Sequence, residues 1–96
     1  MGATAEIAVR VTIEGRVQGV WYRGWTEDQA AEFGLRGWVR NRRDGSVEAV
    51  FAGPEEAVRL MIERCREGPR AARVTGIEQR PETEPVGPGF RQLPSA

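Results

Sequence analysis

Two stretches of the chain hold the residues whose types and spacing could do chemistry. The first, Gly15 to Arg23, reads Gly-Arg-Val-Gln-Gly-Val-Trp-Tyr-Arg and falls between a strand-like and a helix-like segment. At such a junction backbone N–H groups lack partners within the helix and can bind an anion. Gly19 permits the angles that turn successive amides inward into a concave nest, and the helix dipole adds partial positive charge. Arg23 falls in the first helical turn, where its charge opposes that dipole and is best tolerated with an anion between them. The second candidate is Asn41, at the end of a short apolar run. An amide is no base, but it can accept one hydrogen bond from a water while donating another, as orienting a water requires. Taken singly, Gly19 also reads as a plain turn, Arg23 as a solvated surface residue and Asn41 as a turn former.

Other chemistries are excluded by what is missing. With no His, the commonest general base, the relay of Ser and Cys triads and the Cys/His zinc sites are absent. Cys65 is the only cysteine, so no internal disulfide can form. A cysteine phosphatase would need an Arg where Ala71 stands, and beside Val58, Met61 and Ile62 on a helix Cys65 reads as a small core residue. The glycine loop matches neither the Walker spacing nor a dinucleotide fingerprint. Trp21, Tyr22, Trp25 and Trp38 could stack bases, but without a basic sheet face they read as core or pocket wall. No metal and no cofactor is expected.

Composition agrees. The 96 residues are 40% hydrophobic and 29% charged, enough for one core, so residues 1–96 are expected to form a single domain. Fourteen basic residues balance fourteen acidic ones, giving a formal charge of +0, so no bulk field draws the chain to nucleic acid or acidic membranes and an anion must be caught locally. Every basic residue is Arg, whose planar fork suits phosphate oxygens, although a biased genome composition explains the excess equally well. No long apolar run, leader or polar tract is seen, so a soluble, cytoplasmic protein without a membrane span is expected, and a monomer.

The elements that must position these residues follow from periodicity. Ile7, Val9, Val11 and Ile13 alternate with Ala8, Arg10, Thr12 and Glu14, as in a strand with one buried face. Gly15 and Gly19 bracket a loop. Tyr22, Trp25, Thr26, Ala30 and Phe33 then recur at helical spacing up to Gly34, a natural helix terminator. Leu35–Arg42 and Ser46–Ala52 read as a hairpin joined through Arg43, Asp44 and Gly45. Gly53, Pro54, Glu55 and Glu56 start a second helix, with Pro54 at its first position, running to about Arg66 before Gly68 and Pro69. Val74–Arg80 reads as a strand and Phe90–Leu93 as a short last one. The order βαββαβ predicts an α+β ferredoxin-like sandwich: an antiparallel sheet of four to five strands with both helices on one face.

Read together, Gly15–Arg23 and the stretch Gly37-Trp38-Val39-Arg40-Asn41-Arg42-Arg43-Asp44-Gly45-Ser46-Val47-Glu48 resemble the two signature stretches of the acylphosphatase family. The likeness is strong from about Val9 to Gly53 and fades after Val74, where Phe90 alone resembles the family's last strand. It implies the ferredoxin-like fold and metal-free hydrolysis of the carboxyl–phosphate bond of a small acyl phosphate. It implies, too, that Arg23 and the loop Arg16, Val17, Gln18, Gly19, Val20, Trp21 and Tyr22 hold phosphate, with Asn41 holding water. Departures are Arg42, where a hydroxyl residue is common, and Gly24, where a basic residue is common. The alternative is a non-catalytic ferredoxin-like module binding an anion or a protein, since this sandwich hosts many functions. A third reading is a copy of the acylphosphatase-like domain of larger carbamoyl-transferring proteins.

Overall fold

The alternation that begins at Ile7 becomes β1 (Glu6–Arg16), the second strand of a five-stranded sheet in the computed structural model, which describes residues 5–96. The other elements are α1 (Tyr22–Glu32), β2 (Arg36–Asn41), β3 (Val47–Pro54), α2 (Glu55–Cys65), β4 (Arg73–Pro81) and β5 (Phe90–Gln92). The sheet order is β4-β1-β3-β2-β5. This is the expected α+β ferredoxin-like layout, with α1 against β2 and β5 and α2 against β1 and β3. The core between the helices and the sheet is built from Val11, Ile13, Val39, Ala49, Phe51, Val58, Met61 and Ile62.

Local chemistry sets the boundaries. Helix α1 ends as Gly34 predicts: Gly34 has φ 68°, its N–H bonds Ala31 O at 3.1 Å, and Leu35 N–H bonds Ala30 O at 2.9 Å. These two bonds satisfy the last carbonyls of the helix. Helix α2 carries Glu55 and Glu56 in its first turn and buries Val58, Met61, Ile62 and Cys65 on one face. Cys65 is fully buried, as expected of a core residue, and burial pushes its thiol up to about 12.

Four expectations change. The sheet is mixed rather than antiparallel, because β5 runs parallel to β2. The connection after β4 crosses the end of the sheet to reach the far edge, where Arg36 bonds Val86 O at 2.7 Å and Gly37 N–H bonds Gly89 O at 2.9 Å. Gly15 does not open the loop. It sits inside β1 at a bulge next to Glu14, with φ 122°, and a Cβ there would collide with Arg73 O of β4. Pro54 is the N-cap of α2 rather than its first helical residue, since it still pairs with Glu6 as the end of β3. Trp38 lies on the sheet face away from the helices rather than in the core, between the guanidinium groups of Arg10 and Arg40 at 5.2 and 4.9 Å from its ring.

Candidate active site

Beyond β1 the chain turns through residues 17–21 into α1, and Val17 is buried there as an anchor. Gly19 takes φ 75° and Trp21 takes φ 67°, ψ 25°, both left-handed. These two residues swing the backbone around before the helix begins. Trp21 is the N-cap of α1, but no side chain caps the helix and no acidic residue stands in its first turn. The positive end of α1 is thus left without a negative side chain of its own. Tyr22 is buried behind the loop, its hydroxyl donating to Cys65 O at 2.6 Å and its ring tilted against Trp25 at 5.4 Å. Burial drives the Tyr22 hydroxyl far above its ordinary pKa, so it stays protonated.

Asn41 comes from the other half of the sandwich. It closes β2 opposite Val47, and the turn that follows is held by Arg42 N–H to Ser46 O at 2.9 Å. Asp44 accepts from Ser46 N–H at 2.9 Å and from Ser46 Oγ at 2.6 Å, and these bonds hold its carboxyl below the usual range. On the far side the Asn41 carbonyl accepts Ala96 N–H at 3.0 Å. Loop and turn are tied together by Gln18, whose Nε2 donates to Arg42 O and to Ser46 O, both at 2.8 Å. Gln18 therefore acts as a strut that fixes Asn41 relative to the glycine loop.

The result is a cleft of about 150 Å³ lined by Val17, Gln18, Gly19, Trp21, Tyr22, Arg23, Gly24, Asn41 and Gln92. Arg23 is half-buried and forms no ion pair among the described residues. Asn41 Oδ1 is buried and has no hydrogen-bond partner. A buried acceptor left unpaired costs about 1–3 kcal/mol, so this oxygen carries an unmet demand for a donor beside the cleft. Arg23 and Asn41 thus line the same small volume, and Asn41 brings to it an acceptor without a partner.

Two of the expected phosphate-loop residues are not among those lining the cleft: Arg16 ends β1 opposite Arg73 and is exposed, and the side chain of Val20 packs against the core, so Val20 can serve the loop only through its backbone N–H. Two lining residues were missing from the sequence reading. Gly24 had been noted only as a departure from a family pattern, and Gln92 belongs to the short strand β5, whose pairing no local signal announces. Gln92 Nε2 donates to Glu27 Oε1 of α1 at 2.9 Å, which holds β5 to the helix that carries Arg23. Among the described residues no three His, Cys, Asp or Glu side chains converge on a point where a metal could sit.

Both the sequence and the fold match known proteins. The family model for acylphosphatase matches residues 9–92. An acylphosphatase of Rhodospirillum rubrum is 58% identical over 85 residues, covering 88% of this chain and 93% of that one. Among solved structures, an acylphosphatase from Coxiella burnetii superposes with a TM-score of 0.88 at 33% identity, covering 92% of this chain and 93% of that one. The acylphosphatase from Bacillus subtilis gives 0.86 at 34% identity, covering 91% and 98%.

Proposed function

The chain belongs to the acylphosphatase family, and we propose that its cleft divides the work of hydrolysis between Arg23, which holds phosphate, and Asn41, which holds the attacking water. The reaction is hydrolysis of an acyl phosphate to a carboxylate and inorganic phosphate. The observation that carries the division is that Asn41, whose Oδ1 is buried and unpartnered, lines the same cleft as Arg23.

The arginine fork and the amides of residues 17–22, with the uncapped end of α1, neutralise the phosphoryl oxygens. Oδ1 accepts one hydrogen of a water and leaves a lone pair of that water aimed at phosphorus. As the water oxygen bonds to phosphorus, the bond from phosphorus to the acyl oxygen breaks and its electron pair leaves on the carboxylate. The carboxylate is a good leaving group and needs no proton from the protein. The lining residues include no base for neutral pH, since Tyr22 is spent on Cys65 O, so the water's proton passes to a phosphate oxygen. Positioning and fixed charge do the catalysis.

No helix among the described residues is long and apolar enough to cross a membrane. A cytoplasmic, monomeric protein with this activity in one domain fits the buried free thiol of Cys65 and the balanced charge. The test is release of inorganic phosphate from acetyl phosphate by the purified protein, with excess EDTA in a parallel reaction. Release at equal rates in both is expected. No release, with phosphate still bound, would make the chain a binding module; loss only in EDTA would require a metal.

A further inference from the structure

Trp21 is 64% exposed, one of two large hydrophobic side chains left in water among the described residues, the other being Leu60 on α2. A lone exposed apolar side chain is ordinary on a surface. Trp21 differs because it lines the cleft with Arg23 and Asn41, whereas Leu60 does not.

Two features keep the indole at the rim. Its backbone is left-handed, with φ 67° and ψ 25°, a conformation rare for a bulky residue and kept only where the surroundings enforce it. The ring also lies over Gly24, where a Cβ would collide with the indole Nε1, Cε2 and Cδ1. Any larger residue at position 24 would push the ring off the helix, so the pair Trp21 and Gly24 forms one shaped surface.

A phosphate held by Arg23 and the loop amides leaves the rest of an acyl phosphate to extend past this rim. A flat apolar group meeting an indole gains area burial and aromatic contact, which a methyl group does not. We infer that Trp21 is a specificity-determining platform for the acyl group, favouring acyl phosphates whose acyl part is aromatic over short aliphatic ones. The inference rests on the proposed placement of phosphate at Arg23.

The experiment measures kcat/KM for benzoyl phosphate and for acetyl phosphate and takes their ratio in each variant. Intrinsic reactivity of the two substrates cancels when variants are compared, and so does any disturbance of the phosphate-holding amides. Trp21→Gly removes the ring and tolerates φ 67° without strain. Gly24→Ala leaves the tryptophan in place but displaces its ring. In both the ratio should fall about three- to tenfold, the worth of one aromatic contact, and Trp21→Phe should keep it within about twofold. If Trp21→Gly failed to fold, Gly24→Ala would carry the test. Unchanged ratios in Trp21→Gly and Gly24→Ala, with the wild type active on both substrates, would overturn the platform and leave the site standing. A wild type inactive on both would instead overturn the site.

Discussion

Asn41 and Cys65 show how much a side chain's surroundings decide its use. Cys65 is the only thiol and the nucleophile a reader would look for first, yet it is fully buried with its thiol held up at about 12, so little thiolate exists near neutral pH. Cys65→Ala should therefore keep wild-type kcat on acetyl phosphate while losing about 1 kcal/mol of stability from a small cavity. Rapid quench should trap no phosphorylated side chain, and a phosphoenzyme would refute this. Asn41, by contrast, is an unremarkable turn residue by type. The second signature stretch makes it a candidate, and the structure adds a buried, unpartnered Oδ1 on a residue that lines the cleft with Arg23. That burial could not be read from the chain, whereas the pairing of Arg23 with Asn41 could, from the two signature stretches together.

The helix-free sheet face holds a charged cluster that alternation alone hides. Glu48 sits at an outward position of β3, where the pattern predicts a solvated side chain, yet it is 1% exposed because Arg10, Arg40 and Arg42 cover it. Burial raises its pKa, but hydrogen bonds from Arg10 at 2.7 Å and Arg40 at 2.8 Å outweigh that and hold the carboxyl below its usual range. Arg10 does the same for Glu82, also at 2.7 Å. Glu48→Gln should cost about 2 kcal/mol in urea melts, less than a fully buried pair because the arginines stay partly wet. Both carboxyls have folded pKa values below their unfolded ones. Their contribution is thus complete above the ordinary carboxylate pKa and is lost as pH falls through the lower folded value. The gap between wild type and Glu48→Gln should accordingly narrow in acid, and a gap that widened there would contradict the network. The helices and the antiparallel core strands were legible because each repeats an apolar period, and Gly34 and Gly68 follow the two helices. Strand β5 was not. Three residues carry no period, and its parallel register comes from distant bonds such as Leu93 N–H to Val39 O at 2.9 Å.

Across the chain as a whole, the site exists only because the sheet brings the loop after β1 beside the end of β2, with Gln18 bridging them. Binding at such a composite site stabilises the folded chain, since no unfolded segment holds both halves. Inorganic phosphate should therefore raise the Tm of the wild type with increasing concentration, and Arg23→Gln should nearly abolish that rise. An equal rise in both would remove Arg23 from the phosphate site. The most direct test of the two assigned roles is a pair of steady-state profiles on acetyl phosphate with inorganic phosphate as competitive inhibitor, run on Arg23→Gln and Asn41→Ala after melts confirm that each is folded. Arg23→Gln should weaken phosphate inhibition and lower kcat together, whereas Asn41→Ala should cut kcat by about a hundredfold or more and leave phosphate inhibition nearly intact. Wild-type turnover in Asn41→Ala would show Asn41 to be a turn residue and nothing else, and the water-positioning account of this cleft would be wrong.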